Sequence, residues 1–173
     1  MSPLRASEVR IRRRVEPLLA ESQTLPVDAA AIAARLGAEV RELELAPDIC
    51  GILYWEDERK VLVTNALHPP GRRRVSLARQ IGHIVLHRRM NVRTDQGLKI
   101  DVRAPLEGTL ESIEEVEASI FAVNLLIPAA WLQHIMTSSV FDFSDDQTLA
   151  ALAAQCCVPT STMTLRLLLL SDR

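Results

Sequence analysis

Leu77-Ala78-Arg79-Gln80-Ile81-Gly82-His83-Ile84-Val85-Leu86-His87 is the stretch on which the reading of this chain turns. Val75, Ala78, Gly82, Val85 and Leu86 recur at helical spacing, which predicts a long helix over residues 72–88, just after the breakers Pro69-Pro70-Gly71. On that helix positions 79, 83 and 87 lie one turn apart and share a face. Upstream, Ile52 to Trp55 and Val61 to Thr64 are apolar runs around the polar turn Asp57-Glu58-Arg59, which predicts a hairpin. Val40, Leu43 and Leu45 begin a further β-like stretch. Pro26-Val27-Asp28 caps a short helix that Gly37 stops. Ser2-Pro3 opens a first helix towards Leu19, bent or shortened by Pro17.

Downstream, Asn91 to Gly108 shows no period and reads as a long loop with at most one short strand. A helix follows from Thr109 or Ser112 to Leu126, ended by Pro128. Ala129 to Met136, Asp145 to Cys157 and Thr160 to Leu170 complete the set. The expected class is α+β, a small antiparallel sheet or hairpin packed on helices. We place one domain over residues 1–136 and a helical C-terminal extension over 137–173, packed together as one compact unit.

Composition narrows the function classes. The chain has 173 residues, 48% of them hydrophobic, ample for a core, and a formal net charge of -2. There is no global electrostatic case for nucleic acid or a membrane surface. The arginine clusters at Arg10 to Arg14 and Arg72 to Arg74 read as solvated helix faces. Cys50, Cys156 and Cys157 are too few and too badly spaced for a disulfide framework. The charged first residues lack the apolar stretch of a signal peptide, and the longest apolar run, Leu165 to Leu170, is too short for a membrane span. The expectation is a cytoplasmic protein.

The face at 79, 83 and 87 has the spacing that zinc peptidases use as His-Glu-x-x-His, two histidines for one metal and a glutamate to deprotonate its water. Here His83 holds the second histidine's place, Arg79 the first and Gln80 the glutamate's. The blocks around it resemble the ImmA/IrrE family from Pro26 to Trp131. They are the short helix ending in Leu36-Gly37, the hairpin ending in Thr64-Asn65, Arg72 to Ala78, Ile81 to His87, Glu115 to Ala122, and Leu125 to Pro128.

The resemblance implies a zincin-like minimal metallopeptidase fold, with the third metal ligand a glutamate on the second helix. Glu115 shares the apolar face of Ala118, Ala122 and Leu125 and is the chosen ligand equivalent; Glu114 and Glu117 are the fallbacks. The departures from the pattern are chemical. An arginine donates no lone pair to zinc, and a glutamine cannot serve as general base. No zinc and no catalytic residue is therefore expected. Arg79 is expected instead to supply the cation that neutralises Glu115 and draws in His83.

The resemblance further implies a partner role, because family members cleave or relieve helix-turn-helix repressors in prophages, mobile elements or stress responses. The reading is a pseudo-peptidase, a transcription regulator that binds a repressor-like protein or a peptide. By analogy an extended partner would add along the hairpin edge at Thr64 and Asn65, and Glu114 and Glu117 are counted with them as binding residues. One alternative is an active zinc endopeptidase with a shifted ligand set of His83, His87 and Glu115. Another is a DNA-binding regulator or toxin-antitoxin component. The C-terminal helices are helix-turn-helix-like, but the second offers only Arg166 and Arg173 among leucines, which favours packing over DNA reading.

Overall fold

The computed structural model describes residues 3–20, 24–87, 92–97, 110–138 and 145–171. The elements run α1 (Pro3–Leu19), α2 (Ala29–Arg35), β1 (Ala38–Leu43), β2 (Gly51–Glu56), β3 (Arg59–Asn65), α3 (Pro70–Leu86), β4 (Arg93–Asp95), α4 (Leu110–Leu126), α5 (Ala129–Ser138), α6 (Asp146–Gln155) and α7 (Thr160–Ser171). Local chemistry sets several of these limits. Asp28 caps α2 by accepting from the Ala31 amide at 2.9 Å, and Gly37, at φ 71°, takes the left-handed conformation after it. Pro70 sits in the first turn of α3, where its missing N–H costs nothing. Pro17 lies in the last turn of α1, and the helix runs only to Leu19.

The class is α+β, as the sequence indicates, with one correction: the sheet is mixed rather than antiparallel. Its order is β1-β3-β2-β4. The hairpin β2–β3 is antiparallel, Leu53 opposite Leu62, and β4 adds antiparallel to β2. β1 instead runs parallel to β3, with Val40 opposite Leu62. The hairpin turns back so that β3 inserts between β1 and β2, a choice that alternation along a strand does not encode. β3 is consequently interior and its Val61, Leu62 and Val63 are fully buried, the continuous apolar run typical of a central strand.

α3 packs on β2 and β3, α4 packs against α3, and α1 covers another side of α4. Two glycines permit the close approaches. A Cβ on Gly51 would stand 2.4 Å from both the Gln80 amide nitrogen and the Val63 carbonyl, so α3 can lie on β2 only over a bare backbone. A Cβ on Gly82 would stand 3.1 Å from Cβ, Cγ and Cδ1 of Phe121, so α3 and α4 cross closest one residue before His83. α7 is tied to the rest through Arg166, fully buried, which donates to the Ile127 carbonyl at 3.0 Å. Among the described residues no single helix is long and apolar enough to cross a membrane.

Candidate functional site

The α3–α4 crossing brings the 79/83/87 face of α3 against the first turns of α4. Arg79, 3% exposed, places one guanidinium nitrogen on the Asp95 carboxylate and another 2.6 Å from Glu115 Oε2. His83 Nε2 approaches the other oxygen, Glu115 Oε1, at 3.2 Å. His83 Nδ1 faces His87 Nδ1 at 3.0 Å, and His87 Nε2 faces Glu117 Oε2 at 3.2 Å. Arg10 of α1 closes the far end on Glu117. Arg93 of β4 pairs with Glu114 and stands 3.6 Å from Glu115. The result is one continuous row, Asp95–Arg79–Glu115–His83–His87–Glu117–Arg10, with Arg93–Glu114 beside it.

The row alternates acidic and basic groups. Four carboxylates (Asp95, Glu114, Glu115 and Glu117) face three guanidinium groups (Arg10, Arg79 and Arg93) and the histidine pair. Burial alone would raise the Glu115 carboxyl. The hydrogen bond from His83, with the charges of His83, Arg79 and Arg93, outweighs burial and holds it below the usual carboxylate range. Burial pushes His87 below the usual histidine range, and the opposing pull of Glu117 does not reverse it.

Burial ranks the three glutamates differently from the apolar pattern. Glu115, placed on the buried face by the sequence, has a 35% exposed side chain, whereas the side chains of Glu114 and Glu117 are 9% and 10% exposed. The reason is that α4 is covered by α1 as well as α3, so its buried arc is wider than one stripe, and Arg93 and Arg10 make burial of the two carboxylates tolerable. Glu115 is nevertheless the one that meets both Arg79 and His83.

Gln80 does not face the row. Its amide nitrogen donates to the Val63 carbonyl at 3.0 Å and lies 3.3 Å from Ser76 Oγ, locked between α3 and β3. Thr64 and Asn65 are not on a hairpin edge. β3 is paired on both sides, Thr64 opposite both Glu42 and Gly51, and both residues are buried. The Asn65 amide pins the turn before β2, donating to the Ile49 carbonyl at 2.8 Å and the Ala46 carbonyl at 3.1 Å. A partner strand cannot add at an interior strand whose hydrogen bonds are spent. Arg166, one of the two basic residues offered for DNA reading, is fully buried; the other, Arg173, lies outside the described residues.

Sequence reasoning missed Asp95 and Arg93. Both fall in the stretch read as a loop, and their signal is weak: opposite charges two apart, on one face of a three-residue strand. It also read Arg10 as part of a solvated basic face, since nothing local to α1 points to Glu117, which lies 107 residues away in the chain.

The mixed sheet, the two crossed helices and the order of elements are those of a minimal zincin-like fold of the metallopeptidase class. The chain matches the family of IrrE N-terminal-like domains (Peptidase_M78) over residues 33–167, and it belongs to that family. A comparison with curated proteins finds no match. The family implies a zinc ion, and the residues present do not fit one. Among the described residues no three His, Cys, Asp or Glu side chains converge so as to hold a metal. His83 and Glu115 face each other, the third position is a guanidinium, and the shifted set fails because His87 turns its Nε2 to Glu117 rather than to Glu115.

Proposed function

We propose that this protein is a catalytically degenerate ImmA/IrrE-type metallopeptidase homologue, a cytoplasmic pseudo-peptidase that regulates by binding a repressor-like protein or peptide. The observation that carries the reading is the Arg79 guanidinium seated between Asp95 and Glu115, with His83 on the far oxygen of Glu115. A protein cation does the electrostatic task of a divalent ion and joins α3 to α4. It does so without an exchangeable ligand position, so no water is activated there. Gln80 reinforces the reading, because its side chain serves as a structural donor to β3 and offers no basic atom to the row. Binding without cleavage is the use of the family fold that this arrangement leaves open.

The test is elemental mass spectrometry on protein purified without chelators, beside the Arg79→His variant, combined with incubation with any helix-turn-helix repressor encoded beside it. Metal-free wild type that binds such a repressor and leaves it intact is the expected result. Zinc near one per chain in the wild type, with chelator-sensitive cleavage, would overturn the reading in favour of the active endopeptidase. Salt-dependent duplex binding by the chain would favour the DNA-binding alternative instead. The burial of Arg166 weighs against that outcome.

A further inference from the structure

β1 is an edge strand. β3 pairs with one side of it, and among the described residues no strand pairs with the other. The ladder shows which of its backbone groups face outward. The Leu43 carbonyl accepts from the Ala66 amide at 2.8 Å, so Leu43 turns its N–H and C=O towards β3. In a parallel ladder every second residue does so, and the residues between turn theirs the other way. Glu39, Arg41 and Leu43 are therefore spent on β3, whereas Ala38, Val40 and Glu42 present their backbone groups at the free edge.

Charges on an edge strand usually keep other strands away. Those of β1 are placed so that the strand complements itself. Set two β1 strands antiparallel about a two-fold axis through Val40. Val40 then faces its own copy and Ala38 faces Glu42, so that every outward group meets another outward group. Glu39 of each copy stands opposite Arg41 of the other, in the close pairs whose Cα atoms are about 4.5 Å apart. Both side chains lie on the face opposite Val40, which packs on the core. On that face Arg41 already holds Glu39 at 2.7 Å and Glu56 at 2.8 Å. The same register lays Leu43, 49% exposed, over Gly37 of the other copy, where a Cβ would meet nothing within 4 Å. No other register does as well. A slip of one residue sets outward groups against spent ones. A slip of two sets Glu39 on Glu39 or Arg41 on Arg41, and like charges directly opposite oppose pairing. A larger slip leaves most of the strand unpaired. We propose that the free edge of β1 pairs in this register with a second copy of the chain, joining the two four-stranded sheets into one. The contact is one short strand from each copy, smaller than a standard interface, so the dimer is weak and forms and parts with concentration. It lies at the opposite edge of the sheet from β4 and does not depend on how the row between α3 and α4 is read.

The experiment is sedimentation equilibrium of the full chain from about 1 μM to about 1 mM, beside Glu39→Arg, Arg41→Glu and an equimolar mixture of the two. The Glu39 and Arg41 side chains are 48% and 32% exposed, so both variants keep the core. The wild type should dimerise with Kd of about 10–100 μM. Each variant alone faces like charges across both symmetry-related pairs, and should associate about tenfold more weakly or less. Mixed, the two variants restore an acid opposite a base at each pair, and should form a heterodimer about as tight as the wild type. Amide hydrogen exchange locates the contact. Protection of the Val40 and Glu42 amides should rise with protein concentration, while that of Arg41 and Leu43, already bonded to β3, should not change. A wild type that stays monomeric at about 1 mM would overturn the assignment. So would a dimer that both variants retain, or a mixture that fails to pair.

Discussion

Replacing Arg79 by methionine, similar in length and unable to carry charge, isolates what the guanidinium does. Two carboxylates lose their counter-ion. Asp95 is 7% exposed and keeps only the Gly97 amide at 2.9 Å. Removing one partner of a buried ion pair costs about 3–5 kcal/mol, because the other charge is stranded. Glu115 is 35% exposed and keeps His83 at 3.2 Å and Arg93 at 3.6 Å, so its loss is screened by solvent and adds at most about 1 kcal/mol. The expected cost is about 4 kcal/mol, nearly all through Asp95. A domain of this size has about 5–15 kcal/mol of stability in total, so the variant remains folded but close to the edge. Urea unfolding followed by circular dichroism at pH 7.5 reads this as a fall in midpoint of about 2 M, for a slope near 2 kcal/mol per M. The Arg79→Met/Asp95→Asn double variant no longer strands a buried charge at position 95, and should recover about half or more of the loss. A cost of under about 1 kcal/mol for Arg79→Met, or strict additivity of the two substitutions, would refute the argument that Arg79 replaces a metal as the cation of this site.

Gln80→Glu restores the residue type of the family motif, yet it should cost about 1–3 kcal/mol, since a carboxylate cannot donate to the Val63 carbonyl and would face it with a like partial charge; unchanged thermal unfolding would show that this hydrogen bond carries no weight. Glu115 lies below its unfolded value of 4.5, so the unfolded chain binds the extra proton first and stability falls as the solution is acidified from pH 4.5 through the lower folded value. Glu115→Gln should flatten that part of the stability profile, measured by urea unfolding between pH 5 and pH 3, and an unaltered slope would assign the acid sensitivity to other carboxylates. Burial pushes the Cys156 thiol up to about 12, so it remains protonated and should resist a thiol-specific dye at pH 8 in the native state, reacting only as fast as the protein opens.

The outline of the elements was legible because each is written locally. The 3.6-residue period over α3, the proline and aspartate start signals and the paired β2 and β3 runs depend on neighbours a few residues away. The direction of β1 was not, since Val40 and Leu43 carry no mark of whether their partner strand runs with or against them. Nor was the position of β3. Thr64 and Asn65 end a hairpin in sequence, but the insertion of β3 between β1 and β2 makes them interior.

For the site, the sequence by itself determined what two side chains cannot do. Arg79 and Gln80 lack the lone pair and the basic atom that zinc catalysis needs, and no fold can supply them. It also put Arg79, His83 and His87 on one face, because helical periodicity is a local property. The counter-charges were decided only in three dimensions. Asp95 and Arg93 come from a three-residue strand that pairs with β2, and Arg10 comes from α1, 107 residues before its partner Glu117. Ion pairs act through space and leave no period in the chain, so the row from Asp95 to Arg10 exists only once β4, α3, α4 and α1 have packed. The same holds for Gln80. Its identity announced a lost base, whereas the approach of α3 to bare Gly51 turned it into the donor that holds α3 on the sheet.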